Sequence, residues 1–470
     1  MGTGKGKKQM ERAACANAPL IGPNEPSGSP ARQQQRPRSD TVAILVLLLL
    51  TGAIHAWLIR HTEVLARDGV GYIHYAWRLQ HEPWGKVLRT SLQHPGYPLT
   101  IAIVSRILPL SNGSLCDQMI LSAELVNLVA GCLLAVAMFY LGKEFFDRRV
   151  GFWTAAVFQC LPVAARVTSD VLSEATFLLA TTVTLLLAVR SLRDYSIWRL
   201  GLCGACGGFC FLIRPEGGLT VLAVAVALFG QQAMARWRRP WRQVVPAAAS
   251  LTLAAILVAG PYVAVLGQLT NKPTSQKVID LASEDLQAAP EGSAEDRGSR
   301  IEDRESKIEN PRLNNKEDEQ SSAQDRQRLT SSISDPRSSI LHPRCPKSKP
   351  RLSASLWAVW WHADRDGSWL ENLTWAVWAL TQEVIRCFGY IAWLPAAFGL
   401  YWRRGQWRKQ PEILILGFLC LFQALVLCRV GLVVGYVSER HVLIIALCGL
   451  YWAVWAVFYL TQSRKAAKSS

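Results

Sequence analysis

The chain alternates long apolar runs with short polar connections. Ten runs read as spans, at about 41–59, 118–141, 150–167, 171–190, 200–213, 217–234, 244–267, 376–402, 411–429 and 440–461. About 20 apolar residues in a helix cross roughly 30 Å of hydrocarbon. The pattern therefore predicts an all-α polytopic membrane protein with about ten transmembrane helices. It excludes a soluble multidomain protein and a single-anchor protein. Between about 200 and 234 the apolar sequence is interrupted only by Arg214-Pro215-Glu216-Gly217. Pro and Gly flanked by charges mark a turn, so two short helices are expected there.

Basic residues test that count, because connections on the cytoplasmic side carry excess Lys and Arg. With the N-terminus inside, the expected cytoplasmic connections hold Lys143, Arg148 and Arg149, then Arg190, Arg193 and Arg199. Further along come Arg236, Arg238, Arg239 and Arg242, then Arg403, Arg404, Arg408 and Lys409, and finally Arg464, Lys465 and Lys468. The short turns near 168–170, 214–216 and 430–439 carry almost no such excess. Both termini are thus expected in the cytoplasm. Two large segments, about 60–117 and 268–375, fall outside it.

This divides the chain into a disordered cytoplasmic tail (1–40), an N-terminal transmembrane catalytic module (41–268), a disordered extracytoplasmic insert (269–355), a C-terminal transmembrane module (356–462) and a second cytoplasmic tail (463–470). The first span reads as an uncleaved signal-anchor, since the residues before it are too polar for a signal peptide. The insert has no Phe, Trp or Tyr between Val263 and Leu356, in a chain that is 9% aromatic. Without aromatic anchors and with mixed charge, Ser, Gln and Pro, it cannot build a packed core. Trp357, Trp360 and Trp361 follow at helical spacing and suit a short helix in the membrane interface.

The net charge of +16 would fit a nucleic-acid partner if it formed a patch. It sits instead in the connections, so no nucleic acid is expected. The 12 Cys do not form a disulfide framework, since most lie within apolar runs where Cys behaves as a small hydrophobe. Cys203, Cys206 and Cys210 are closely spaced among glycines and read as packing residues in a membrane helix.

Ionisable residues without a cytoplasmic role gather at the extracytoplasmic helix ends, where function in a membrane protein is best sought. The first loop carries Arg67-Asp68-Gly69, then Tyr72, then Lys86 and His94-Pro95-Gly96-Tyr97-Pro98. From Gly71 to Leu79 apolar residues recur at helical spacing, which predicts an amphipathic helix at the membrane surface with Asp68 near its start. A carboxylate there also complements a helix dipole. Asp170 with Ser173-Glu174 follows the third span, Arg214 precedes Pro-Glu-Gly, and Ser438-Glu439-Arg440-His441 enters the last span.

This ordered set resembles the GT-C superfamily of polytopic glycosyltransferases, nearest the branch of protein O-mannosyltransferases and bacterial aminoarabinose transferases. It departs from that branch in small ways, with HPGYP where relatives often have a second Pro and His441 where Tyr is usual. The resemblance covers residues 41–461 apart from the insert. It implies inverting transfer of a sugar from a polyprenyl-phosphate donor in the membrane to an unspecified acceptor hydroxyl on the extracytoplasmic side. Asp68 matches the catalytic base. Asp170 and Glu174, four apart, are expected on one side of a helix, to bind the acceptor or a metal or to orient Asp68. Arg440 and Arg214 suit the donor phosphate through their planar guanidinium forks, and Lys86 is a further phosphate candidate. The bland alternative for the two arginines is pairing with Glu439 and Glu216. Tyr72, His94 and Tyr97 are expected to line the substrate pocket, and Lys272 resembles a basic element of relatives.

No spacing argues for a metal site; a divalent cation is compatible with the acidic residues, and the sequence points to no other cofactor. Asn112 and Asn372 begin sequons on the expected outer side. Two other functions compete. A lipid or solute transporter would place charge or broken helices near the midplane in related halves, a pattern absent from this sequence. A catalytically silent protein that binds a lipid-linked sugar would need neither Asp68 nor both arginines. Deleting residues from about 280 to 350 should leave membrane insertion and activity intact; aggregation of the deleted protein on gel filtration would refute the disorder assigned to the insert.

Overall fold

A computed structural model describes residues 37–62, 65–108, 114–233, 239–271, 369–405, 410, 412–434 and 437–469. The N-terminal residues before 37, most of the insert, the Trp357–Trp361 stretch, Lys272 and Asn112 lie outside them. All regular structure among the described residues is helical. In chain order the helices are α1 (Pro37–His61), α2 (Arg67–His81), α3 (Trp84–Thr90), α4 (Gly96–Ile107), α5 (Leu115–Phe145), α6 (Arg148–Cys160), α7 (Pro162–Ser169) and α8 (Glu174–Asp194). They continue with α9 (Ile197–Ile213), α10 (Gly218–Ala233), α11 (Trp241–Leu266), α12 (Trp369–Cys387), α13 (Trp393–Trp402), α14 (Ile413–Val434) and α15 (Glu439–Ser469). The chain forms two compact units, Met1–Val46 and Leu47–Ser470. Only the opening turns of α1 are described in the first. All that follows concerns the second.

Among the described residues six helices are long and apolar enough to cross a membrane: α1, α5, α8, α11, α14 and α15. A seventh span is formed if α6 and α7, bent by 72° at Leu161, are taken together. Pro162 opens α7 and lacks the N–H that would continue the ladder, so the bend falls where the sequence puts it. This is an integral membrane protein of polytopic all-α architecture. The turn expected at Arg214–Gly217 is present, as a 3-10 turn over Pro215–Gly217 between α9 and α10. These two helices are shorter, at 17 and 16 residues.

Two boundaries differ from expectation. The run read as one span over 376–402 is two helices, α12 and α13, parted at residues 388–392. Gly389 and Tyr390 have φ of +59° and +65°, which ends an α-helix outright. Apolarity alone does not reveal such a break. At the other end, the tail expected from 463 continues α15 to Ser469. Cys203 and Cys210 are buried on α9, with their thiols against Thr184, as packing residues.

The first loop is folded. Arg67–His81 is helical over the predicted amphipathic stretch, and Tyr75 and Leu79 bury their side chains with Val87 of α3, flanked by Leu88 and Leu99. Glycine brings this loop against the spans. A Cβ on Gly69 would lie 2.7 Å from the carbonyl oxygen of Val171, and one on Gly96 would lie 2.8 Å from that of Leu212. The loop is also tied to the end of α11. Asn271 donates to the carbonyls of Leu88, Arg89 and Ser91, and Arg89 Nε donates to Val265 O at 3.1 Å. The start of α2, the turn before α8, the end of α9 and the start of α15 therefore meet at one end of the helix bundle. Gly69→Ala should cost about 1–3 kcal/mol by overpacking this contact; a thermal midpoint equal to that of the parent would show that the loop does not close here.

Candidate functional site

The irregular turn 170–173 links α7 to α8 and is held from three sides. Asn127, fully buried on α5, donates its side-chain amide to the carbonyls of Asp170 and Leu172. The Asp170 carboxylate accepts from the Val171 amide at 2.7 Å. Ser173 Oγ is 3.2 Å from the hydroxyl of Tyr72, on the next turn of α2 after Asp68. The turn releases the chain into α8 with Glu174 as the first helical residue, where a carboxylate meets the positive end of the helix dipole.

From Glu174 an alternating row of charges runs outward. Arg214, where α9 ends, places Nη1 2.6 Å from Glu174 Oε1 and Nε 3.5 Å from Glu216 Oε2. Its guanidinium also lies over the Phe177 ring, 5.6 Å from the centroid. Arg440, in the first turn of α15, has Nε 3.8 Å from the same Glu174 oxygen. Its Nη1 is 2.5 Å from Asp68 Oδ2, a contact between side chains 372 positions apart in sequence. The row is thus Asp68, Arg440, Glu174, Arg214, Glu216. Its inner members are buried, with Glu174 and Arg214 side chains 3% and 8% exposed. Its outer pair is open, at 41% for Asp68 and 32% for Arg440.

Burial by itself would drive the Arg214 pKa down, but the Glu174 and Glu216 carboxylates more than offset it, so its charge is held above the usual guanidinium range. Burial likewise raises the Tyr72 phenol, against the lowering effect of Arg214, and keeps it a neutral hydrogen-bonding group. A narrow crevice of about 10 Å³, room for roughly one water, lies beside Glu174, Arg214, Glu216 and Arg440 and is walled by Phe177, Leu178, Gln423 and Ile444. Gln423 reaches across from α14 to donate to His441 O at 3.1 Å, which fixes the opening turn of α15.

The structure brings five of the residues singled out by sequence into this cluster: Asp68, Tyr72, Glu174, Arg214 and Arg440. Four others stand differently. Asp170 does not share a helix face with Glu174, because it caps the end of α7 and lies in the turn before α8 begins. Lys86 reaches Glu82 at 3.5 Å and is 67% exposed, on α3. His94 is a fastener: its Nδ1 contacts Phe211 O at 2.9 Å and its Nε2 contacts Thr270 Oγ1 at 3.1 Å. Donation from Nδ1–H to that carbonyl leaves Nε2 to accept from the threonine hydroxyl. Tyr97 is fully buried, with its ring edge-on to Tyr72 at 5.0 Å. It supports Tyr72 from beneath.

Pairing of Arg214 with Glu216 is present, whereas Glu439 turns away from Arg440 to Arg166 and Arg386. Asn127 was missed in the sequence although a lone amide inside a span is a visible signal. Among the described residues no group of three or more His, Cys, Asp and Glu side chains is arranged to hold a metal ion. The cluster's carboxylates are engaged by guanidiniums instead.

The chain is similar to known proteins in part of its sequence and in its fold. The family model for dolichyl-phosphate-mannose-protein mannosyltransferases matches residues 95–262, from the His-Pro-Gly-Tyr-Pro element through α11. The fold is shared with the archaeal oligosaccharyltransferase AglB from Archaeoglobus fulgidus, solved with an inhibitory peptide and a dolichol-phosphate. That match has a TM-score of 0.50 and 11% identity, over 92% of this chain and 52% of AglB. The apo form of the Archaeoglobus fulgidus oligosaccharyltransferase matches at a TM-score of 0.49 and 12% identity, over 92% and 52%. This chain thus spans about half the length of those structures. No curated protein matches it in sequence. The chain is thus similar in sequence over 95–262 to dolichyl-phosphate-mannose-protein mannosyltransferases, and in fold to AglB.

Removing one partner of a buried ion pair leaves the other charge uncompensated, at a cost of about 3–5 kcal/mol. Glu174→Gln should therefore lower stability by that order. Asp170→Asn keeps an oxygen for the Val171 amide and should stay within about 0.5 kcal/mol. Equal thermal midpoints for the two variants would remove Glu174 from its anchoring role.

Proposed function

We propose that the protein is a glycosyltransferase that moves a sugar from a polyprenyl-phosphate donor to an acceptor hydroxyl on the extracytoplasmic face, with inversion at the anomeric carbon. The observation that carries this reading is the contact between Asp68 and Arg440, which joins a base and a phosphate-binding group at the open end of a buried charge row. The acceptor oxygen attacks the anomeric carbon as the bond from that carbon to the phosphate oxygen breaks. Asp68 takes the acceptor's proton. The phosphate leaves with the bonding electrons, and Arg440 meets the charge that grows on it.

In this reading Arg440 changes partners. The donor phosphate replaces Asp68 on its guanidinium, which frees the carboxylate oxygen for the acceptor hydroxyl. Arg214 is too deeply paired to follow, so it serves as a positioning residue that holds Glu174, and through it Arg440. Tyr72 borders the same opening from α2. The family's name and the dolichol-phosphate bound to AglB support a lipid-linked donor. The excess of Lys and Arg in the alternate connections supports cytoplasmic termini and a site on the far side.

Because Arg440 occupies Asp68, binding of a lipid-linked sugar without transfer is the second reading, and one variant separates the two. Asp68→Asn should insert normally and bind donor, while transfer from a polyprenyl-phosphate sugar falls by about 10²–10⁴-fold. Near-normal turnover would take Asp68 out of the reaction. Arg440→Ala should raise the donor KM, and an unchanged donor KM would move the phosphate elsewhere.

A further inference from the structure

α8 is charged at both ends, in opposite senses. Its first residue, Glu174, grips Arg214 and Arg440, while its last two turns carry Arg190 and Arg193. Arg193 joins carboxylates from two distant parts of the chain. Its Nη1 is 2.6 Å from Glu144 Oε2, near the end of α5, and its Nε is 3.1 Å from Glu412 Oε1, immediately before α14. Arg190 pairs with Glu144 at 2.9 Å. The Glu412 side chain is 6% exposed, and its second oxygen has no hydrogen-bond partner among the described residues. A carboxylate so placed depends on the Arg193 guanidinium. α14 lies chiefly against α10 and α12, so α8 holds it through this ion pair.

From Glu412 the chain enters α14, which is apolar from Ile413 to Leu427 except for Gln423. An amide in such a span is costly unless it is bonded. Gln423 is 2% exposed, and its Nε2 donates to His441 O at 3.1 Å. Arg440 is the residue beside His441, so this bond holds the backbone that carries it. About 16 Å of helix separates Glu412 from Gln423. A helix keeps its rise through its own hydrogen bonds, so an axial shift at its start arrives at Gln423 undiminished. A shift of about 0.5 Å would stretch the bond to His441 past hydrogen-bonding distance.

We propose that Arg193, Glu412 and Gln423 are positioning residues for Arg440. The ion pair sets the height of α14, and Gln423 passes that setting to the turn that presents Arg440 to Asp68. The charge row is thereby adjusted from the opposite end of the bundle. Any effect on the donor rests on the phosphate role proposed above for Arg440; the positioning itself does not.

The test is hydrogen–deuterium exchange of the full-length protein in lipid nanodiscs, read by mass spectrometry over residues 441–446. Glu412→Gln should speed exchange there about tenfold and leave α9 and α11, which pack on each other, at the parent rate. Arg193→Lys keeps the charge but loses the fork that spans two carboxylates, and should give the same change if Glu412→Gln does not fold. Arg190→Gln breaks a pair of the same cluster that does not reach α14, and should leave 441–446 unchanged. Gln423→Leu should reproduce the effect, and adding Glu412→Gln to it should contribute less than about twofold more. Unchanged exchange at 441–446 in Glu412→Gln, an equal rise in every helix, or full additivity with Gln423→Leu would overturn the proposal. Donor KM is the second measurement, expected to rise roughly tenfold in Glu412→Gln with kcat nearly constant. Faster exchange with an unchanged donor KM would uphold the positioning and take Arg440 off the phosphate, so the two ideas fail separately.

Discussion

A carboxylate withdrawn from water, Glu174 at the head of α8, is the constraint on which the rest of the site depends. An isolated buried charge is costly, and the attraction of a partner repays that cost only when geometry is good and further hydrogen bonds are made. Glu174 obtains this from Arg214 at 2.6 Å and, at longer range, from Arg440. Each guanidinium is then committed in direction, and each carries its own second carboxylate. The ends of α9 and α15 are thereby fixed against the start of α8. What emerges at the surface, Asp68 with Arg440, is the outer end of a row whose inner end is locked.

The first loop owes its position to the same end of the bundle. Gly69 and Gly96 bring its backbone to within contact of the turn at Val171 and of the end of α9, and Asn271 fastens its far side. Asp68 could not reach Arg440 if α2 stood a side chain's width further out. The Tyr72 hydroxyl, tied to Ser173, sets the rotation of α2 that directs Asp68 into the row. Packing and electrostatics thus specify one arrangement.

Much of this was legible in the sequence because membrane helices announce themselves by apolar length, and because charges near them are too expensive to be incidental. Asp68, Glu174, Arg214 and Arg440 all stood out on that ground. The resemblance to GT-C enzymes, drawn from their order, agrees with the family model over 95–262 and with the fold. Other features depend on backbone geometry that composition does not encode. Asp170 and Glu174 have helical spacing but belong to different elements, since the turn between them is closed by Asn127. The break at Gly389 and Tyr390 lies in an apolar run where Glu383, Arg386 and Pro395 flank it without fixing its position. The partners of Glu439 were hidden because three distant helix ends must meet before Arg166 and Arg386 become neighbours.

The long separation between Asp68 and Arg440 has a consequence for biogenesis. During synthesis the carboxylate is made early, and its guanidinium arrives only with α15, after every other helix of the row has been made. A nascent or truncated protein that lacks α15 holds the Asp68 carboxylate without its guanidinium partner. If the proposed transfer holds, such a protein would be chemically mute, unable to spend a membrane-borne sugar before the pair that handles it is complete.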